Sequence, residues 1–307
     1  MTTAISRVGI VAKRGLAAAD QLEQLSQWLR DRGVAPVYET ETAAMARAGM
    51  SVAAGAPGPK GPGLHETRSR EDLPKDCDLI IVLGGDGTLL SMATRIATAG
   101  RDIPILGVNF GSLGFLTETR IGELYANLES VLSGTAIFDE RAMLAAEAYR
   151  SREPFDSRIV LNDVVFTKAA LSRIIELNVS VSTGTVTKVK ADGLIVASAT
   201  GSTAYNLAAG GPIVHPRVDA IVLTPIASHT LTNRPIVIPG SEVISVRPYL
   251  EHETDEIYVT YDGQTGYPLL KGDEVRIRTA PQRLRLVKAP ARNYFELLRE
   301  KLKWGER

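Results

Sequence analysis

Asp78-Leu79-Ile80-Ile81-Val82-Leu83-Gly84-Gly85-Asp86-Gly87-Thr88 is the stretch that decides the fold. The apolar run 78–83 suits a strand buried on both faces, as in the centre of a parallel sheet. Glycines follow without a break, and 89–99 has a helical pattern. A strand, a glycine turn and a helix start in direct succession make a place for phosphate. Glycine lets another molecule approach the backbone, and the helix start offers free N–H groups and the positive end of the dipole. This is not a Walker A loop, because no Gly-Lys-Ser/Thr closes it. Asp86 is the unusual member. A carboxylate here either caps the helix or serves chemistry by handling a hydroxyl proton or a metal. The residues alone leave both readings open.

Outward from this stretch, 7–12 and 35–39 read as strands. Between them, 16–32 places Leu22, Leu25, Trp28 and Leu29 on one helix face, and Gly33 stops it. The segment 55–63 is too rich in Gly and Pro for a helix or central strand and reads as a mobile loop. Downstream, 103–109 is a buried strand, 111–116 a glycine-punctuated turn and 121–133 a helix. This alternation predicts a parallel α/β sheet. After Gly134 the pattern changes to short Val/Ile-rich runs at 142–149, 158–167, 174–181, 185–191, 194–197, 220–225, 243–248, 257–261, 274–279 and 284–289. Such spacing predicts an all-β domain, and 295–304 closes the chain as a helix. The expected architecture is an α/β N-terminal domain with a parallel Rossmann-like sheet over 1–134 and a β-sandwich-like domain over 135–289. A C-terminal helix within 290–307 packs back on the first domain.

Composition bounds the function. The chain has 307 residues, enough for two cores. Hydrophobic residues at 44% and charged residues at 23% exclude a largely disordered chain. Lys+Arg and Asp+Glu are both 35, so net charge supports neither a nucleic-acid partner nor a membrane surface. Cys77 is the single cysteine, which rules out an internal disulfide and fits a reducing compartment. No signal peptide and no apolar run near the ~20 residues of a spanning helix is visible, so a cytoplasmic location is expected. His65, His215, His229 and His252 share no metal-ligand spacing, and no metal site built by the protein is expected.

A second polar turn lies at Thr200-Gly201-Ser202-Thr203-Ala204-Tyr205, after the apolar run 194–197 and before Gly210-Gly211-Pro212. Its hydroxyls and N–H groups suit an anionic or nucleotide group, but alone it reads better as a hydroxyl-capped helix.

Together the segments resemble the NAD kinase family. Gly84 to Thr88 matches its GGDGT, and Thr200 to Tyr205 its TGSTAY. Asn162-Asp163 stands where the family usually has Asn-Glu, Lys190-Ala191-Asp192-Gly193 precedes TGSTAY, and Asp262-Gly263-Gln264 resembles a late Asp-Gly element. The resemblance implies transfer of the γ-phosphoryl of ATP, or of polyphosphate, to the 2′-hydroxyl of the adenosine ribose of NAD. It implies that Asp86 accepts the hydroxyl proton and that Gly84, Gly85, Gly87 and Thr88 form the phosphate loop. The implied NAD contacts are Asp86, Gly87, Asn162, Asp163, Arg173, Lys190, Asp192, Thr203, Ala204, Tyr205, Asn206, Leu207, Ala208 and Gln264. It further implies Mg²⁺ delivered with the nucleotide and a homo-oligomer, dimer or tetramer. Asp163 is one methylene shorter than the usual Glu, and Ser198-Ala199 replaces a common Thr-Pro. Two rivals share some of these features: a GGDGT lipid kinase acting on diacylglycerol-like substrates, and a catalytically silent NAD-binding regulator.

Overall fold

A computed structural model describes residues 5–16, 18–53, 66–111, 113–168, 174–230, 232–250, 256–289 and 293–304, with backbone only at 48–53. The Gly/Pro segment 55–63, His65, Ser112, Arg173 and His252 lie outside the described residues. Two compact units emerge, Met1–Glu140 with Leu284–Arg307, and Arg141–Arg283.

The first unit runs β1 (Arg7–Ala12), α1 (Ala19–Arg30), β2 (Ala35–Glu39), α2 (Thr40–Ala53), β3 (Glu66–Arg68), α3 (Leu73–Asp76), β4 (Leu79–Leu83), α4 (Asp86–Thr98), β5 (Ile105–Asn109), β6 (Thr119–Arg120) and α5 (Leu124–Leu132). Its strands pair in parallel in the order β3-β2-β1-β4-β5, with β6 beside β5. Every residue of β4 is buried, as a strand covered on both faces requires. Leu22, Leu25 and Leu29 of α1 are fully buried, and Gly33 ends the connection at φ +72°. Two sequence expectations are corrected in this unit. The helix after the glycine loop starts at Asp86, not at 89, because Gly85 already occupies the cap position. Helix α2 was not anticipated, since its small residues blur the apolar stripe.

The chain continues as β7 (Phe138–Arg150), β8 (Glu153–Val160), β9 (Asp163–Lys168), β10 (Ile175–Val181), β11 (Gly184–Ala191), β12 (Gly193–Ser198), α6 (Tyr205–Ala208), β13 (Ala220–Ile226), β14 (Ile236–Pro239), β15 (Ile244–Tyr249), β16 (Ile257–Tyr261), β17 (Thr265–Leu269) and β18 (Glu274–Val287). In the second unit, six antiparallel strands run β14-β13-β12-β9-β16-β17. A second layer holds β11-β10-β15-β18, with β7 joining β18 to β8. Both layers send alternate side chains into one core, among them Phe166, Leu194, Val196 and Leu223 from one and Leu144, Leu177, Val246 and Ile277 from the other. The intervening residues Val165, Ile195, Ala197 and Val222 face a smaller cluster with Ala199 and Val214.

Here too the sequence reading needs correction. The run 158–167 is two strands, β8 and β9, broken at Leu161-Asn162. The runs 274–279 and 284–289 fuse into the single strand β18, which carries Pro281 at an exposed position. β14 and β17 were not anticipated. Both are edge strands, where Pro239 and Pro268 are tolerated.

The closing helix α7 (Tyr294–Leu302) belongs to the first unit. A capping box starts it: the Asn293 side chain accepts from the Glu296 N–H (2.9 Å), and Glu296 accepts from the Asn293 N–H (3.0 Å). Leu297 and Leu298 are buried, and Glu300 pairs with Arg120 at 3.2 Å.

Candidate active site

In the first unit, β1 lies between β2 and β4, so the chain winds outward in both directions from the β1–β4 pair. In open α/β sheets ligands bind beyond the carboxyl ends of strands at such a switch point. The residues just beyond those ends are Lys13 and Gly84. The Lys13 N–H donates to the Leu83 carbonyl and the Gly84 N–H to the Val108 carbonyl, each at 2.8 Å. A Cβ on Gly84 would lie 2.9 Å from Lys13 Cβ, so packing requires glycine there. Gly85 and Gly87 are different. A Cβ on either would meet nothing within 4 Å, and neither backbone demands glycine, since Gly85 is extended and Gly87 is helical. The open space beside them is room for an approaching molecule.

Asp86 is not the helix cap. It occupies the first helical position, and its carboxylate is held from outside the helix. Oδ2 accepts from the Phe115 N–H (2.8 Å). Oδ1 accepts from the N–H groups of Leu116 (3.2 Å) and Thr117 (3.0 Å) and from the Thr117 hydroxyl (2.9 Å). The turn 111–116 seen in the sequence is thus partly a cradle for Asp86. Its Gly114 has no alternative, because a Cβ there would lie 1.9 Å from Asp86 Oδ1.

The second unit builds its polar turn around a half-buried carboxylate. Asp262, at φ +50°, accepts the N–H groups of Leu161 (2.9 Å), Asn162 (2.8 Å) and Asp163 (3.0 Å). This grip explains the break between β8 and β9. The Asn162 carbonyl accepts the Ser198 N–H at 2.9 Å, and the Ser198 hydroxyl bridges the Leu161 carbonyl (2.6 Å) and the Gly201 N–H (3.0 Å). The Asn162-Asp163 and Thr200-Gly201 segments are therefore locked together. Thr200 to Tyr205 forms a 3-10 turn over Gly201–Thr203 and then the four-residue α6.

Asp163 is buried beside Asp262, and burial together with that neighbouring carboxylate pushes its carboxyl up to about 7. Asp262 is also raised by burial, but three backbone N–H groups oppose the rise. The proton shared by the pair therefore sits on Asp163. Between about pH 4 and pH 7 the folded chain keeps a proton that the unfolded chain, with the ordinary value of 3.8, has lost. Stability is thus expected to fall as pH rises through that window and to level off above it, by at most about 4 kcal/mol. Melting temperatures from pH 4 to 8 test this. Asp163→Asn should flatten the curve, matching the parent near pH 4 and exceeding it at pH 8. A parallel pair of curves would refute the assignment.

The remaining candidates from the sequence fall into distinct settings. Thr203, Ala204 and Leu207 are half-buried, while Tyr205 and Ala208 are exposed. Asn206 is fully buried, with Nδ2 donating to the Ser202 (2.9 Å) and Pro212 (3.1 Å) carbonyls and Oδ1 accepting from Thr224 (2.5 Å), so its side chain is an internal brace. Lys190 pairs with Glu176 at 2.9 Å and Asp192 with Lys168 at 2.8 Å. Gln264 is exposed in the turn after β16, and exposed His229 donates its N–H to the Lys190 carbonyl.

Sequence reasoning missed Lys13, Asn109, Gly114, Thr117 and the grip of Asp262. Only Lys13 carried a local signal, a cation immediately after a buried strand; it is exposed and has no ion-pair partner among the described residues. No cluster of His, Cys, Asp and Glu suited to a metal occurs among the described residues, and none of their helices is long and apolar enough to cross a membrane. Cys77 is buried, and burial pushes its thiol up to about 12.

Comparison with known proteins bears on both units. The family model described as the ATP-NAD kinase N-terminal domain matches residues 8–136, and that of the ATP-NAD kinase C-terminal domain matches 161–289. The NAD kinase of Geotalea daltonii is 45% identical over 285 residues, covering 93% of each chain. That of Geobacter sulfurreducens is 48% identical, covering 92% of this chain and 93% of its own. Yeast NADH kinase complexed with NADH superposes with a TM-score of 0.84 at 22% identity, over 99% of this chain and 89% of that one. An Archaeoglobus fulgidus NAD kinase in complex with ATP gives 0.72 at 22% identity, over 97% and 100%. At that identity the two structures speak for the fold, and the bacterial relatives for the family. The α/β unit with its glycine loop and the antiparallel unit with its anchored polar turn are the two halves of one known architecture, and the chain belongs to the NAD kinase family.

Proposed function

We propose that the chain transfers the γ-phosphoryl group of ATP to the 2′-hydroxyl of the adenosine ribose of NAD, giving NADP, with Asp86 taking the hydroxyl proton. The observation that carries the assignment to Asp86 is its setting. It is a half-buried carboxylate held by a dedicated cradle at the head of a glycine loop whose outer side is open. In the step, the ribose O–H bond breaks and its proton passes to Asp86. The ribose oxygen bonds to the γ-phosphorus, and the bond to the β–γ bridging oxygen breaks, so that ADP leaves with the electron pair. Phosphoryl transfer of this kind is mostly positioning and charge neutralisation. Mg²⁺ enters as part of the nucleotide substrate.

We assign the phosphate loop and Asp86 to the first unit. The NAD contacts Asn162, Asp163, Lys190, Asp192, Thr203 to Ala208 and Gln264 fall to the second, and Arg173, outside the described residues, is assigned by sequence alone. ATP is the donor of choice because the archaeal relative was solved with it; polyphosphate is the alternative. The yeast relative was solved with NADH, so the reduced dinucleotide is the second acceptor to try. The relatives give no support to a lipid kinase or to a silent regulator. A dimer or tetramer in the cytoplasm is the form the family resemblance favours, and sedimentation tests the assembly. The central test incubates the protein with Mg²⁺ and each pairing of ATP or polyphosphate with NAD or NADH. NADP formation from ATP and NAD is expected. Binding of NAD without turnover, or phosphorylation of diacylglycerol instead, overturns the proposal.

Gly87 offers a sharper check. Alanine fits its helical backbone and meets no atom, so Gly87→Ala should keep or raise stability, by about 0.5–1 kcal/mol. The added methyl nevertheless fills space assigned to substrate, and KM for ATP or NAD should rise about tenfold or more. Unchanged steady-state kinetics would mean that the open space is not used.

A further inference from the structure

The two oxygens of Asp86 are not equivalent. A carboxylate has about two acceptor positions on each oxygen. Among the described residues, Oδ1 receives three donors, the N–H groups of Leu116 and Thr117 and the Thr117 hydroxyl, while Oδ2 receives the Phe115 N–H alone. Oδ1 is also walled in, since a Cβ on Gly114 would sit 1.9 Å from it and 2.4 Å from Thr117 Oγ1.

The Thr117 hydroxyl is itself oriented. It is fully buried, and Oγ1 accepts from Asn109 Nδ2 at 3.1 Å. The Asn109 amide cannot flip without loss, because its Oδ1 accepts the Gly111 N–H at 2.7 Å. Each group thus fixes the next in one direction, from the Gly111 N–H through Asn109 and the Thr117 hydroxyl to Asp86 Oδ1. The relay starts at the end of β5 and closes on the first residue of α4.

We infer that Thr117, supported by Asn109, is a positioning residue for Asp86 that closes Oδ1 and leaves Oδ2 as the oxygen open to the substrate hydroxyl. The inference rests on the reading of Asp86 as proton acceptor. Thr117 touches neither substrate nor reacting atoms. It acts through Asp86, and its loss lets the carboxylate rotate about its side-chain bonds away from the productive pose. Small misplacements of a reacting group carry large rate costs.

The test is steady-state kinetics on the full chain with saturating Mg-ATP and NAD. Thr117→Val removes the hydroxyl and keeps the backbone N–H; Thr117→Ser restores the hydroxyl; Asn109→Leu removes the outer support. Thr117→Val should lower kcat roughly 10- to 100-fold, the scale of one hydrogen bond to a charged group, with KM for both substrates within about threefold. Thr117→Ser should recover most of kcat, and Asn109→Leu should fall between. Combined with Asp86→Asn, Thr117→Val should cost nothing more, because a residue that acts only through Asp86 has nothing left to position. A parental kcat for Thr117→Val, equal damage to kcat and KM, failed rescue by serine, or additive losses in the double variant would each overturn the inference. If circular dichroism shows Thr117→Val unfolded, Thr117→Ala and Asn109→Leu are read by the same criteria. An inactive Asp86→Asn beside an active Thr117→Val removes only the positioning role, whereas an active Asp86→Asn removes the proton-acceptor reading itself.

Discussion

Asp86→Asn is expected to lower kcat for NADP formation about 10²- to 10⁴-fold, the usual span for a positioned general base. NAD binding, measured by calorimetry, should survive. The amide replaces the carboxylate at nearly constant volume, so the cradle keeps its shape. Its orientation is also foreseeable. Oδ1 faces three donors, so the amide carbonyl must take that place. The NH₂ group then takes the place of Oδ2, facing the Phe115 N–H that Oδ2 formerly accepted. One donor is set against another, at a cost of about 1–3 kcal/mol in stability. The variant should therefore melt slightly below the parent while losing nearly all turnover. A helix-capping role predicts a different outcome, stability near the parent and catalysis intact, because Asn caps a helix about as well as Asp. An Asp86→Asn protein that turns over within tenfold of the parent would falsify the proton-acceptor role.

What could be read from the sequence divides by range. Strands β1, β4 and β5 and helix α1 were legible because their apolar periodicity is a local property. The same holds for the glycine loop, where neighbouring residues carry the signal. The misreadings have distant causes. The run 158–167 looks continuous because both halves are rich in branched residues. The turn inside it is imposed by Asp262, 99 to 101 positions away in the chain. Asp86 itself was singled out, but its partners at Phe115, Leu116 and Thr117 lie 29 to 31 positions on. Nothing local distinguishes Thr117 from any other threonine after a turn. Asn206 illustrates the other direction: its place inside a recognisable motif suggests a substrate contact, and the structure adds that its amide braces the turn from within. A motif marks a segment; which members face a ligand and which hold the segment in shape depends on packing.

Among glycine-to-alanine changes in the second unit, Gly201→Ala is expected to be the most damaging. A Cβ at that position would lie 2.1 Å from the Asn162 carbonyl oxygen, 2.5 Å from its carbon and 2.8 Å from Asn162 Cα. These are backbone atoms and cannot swing aside as a side chain does. Nor can the Asn162 backbone retreat. Its N–H is bound to Asp262 Oδ1 at 2.8 Å and its carbonyl to the Ser198 N–H at 2.9 Å. Relief of the clash must break one of these bonds or pull Gly201 out of its turn, where its own N–H is held by Ser198 Oγ. Overpacking costs about 1–3 kcal/mol and more against rigid backbone, and a broken buried hydrogen bond adds about 1–3 kcal/mol. At roughly 2–4 °C per kcal/mol for a unit of this size, the melting temperature should drop by about 5 °C or more. Because Asn162-Asp163 and Thr200 to Tyr205 shift together, KM for NAD should rise with it. Gly87→Ala should instead change kinetics without cost to stability. If both alanine variants melt like the parent and only Gly87→Ala is impaired, the turn at Gly201 yields freely, and the locking of the two segments through Asn162 and Ser198 is wrong.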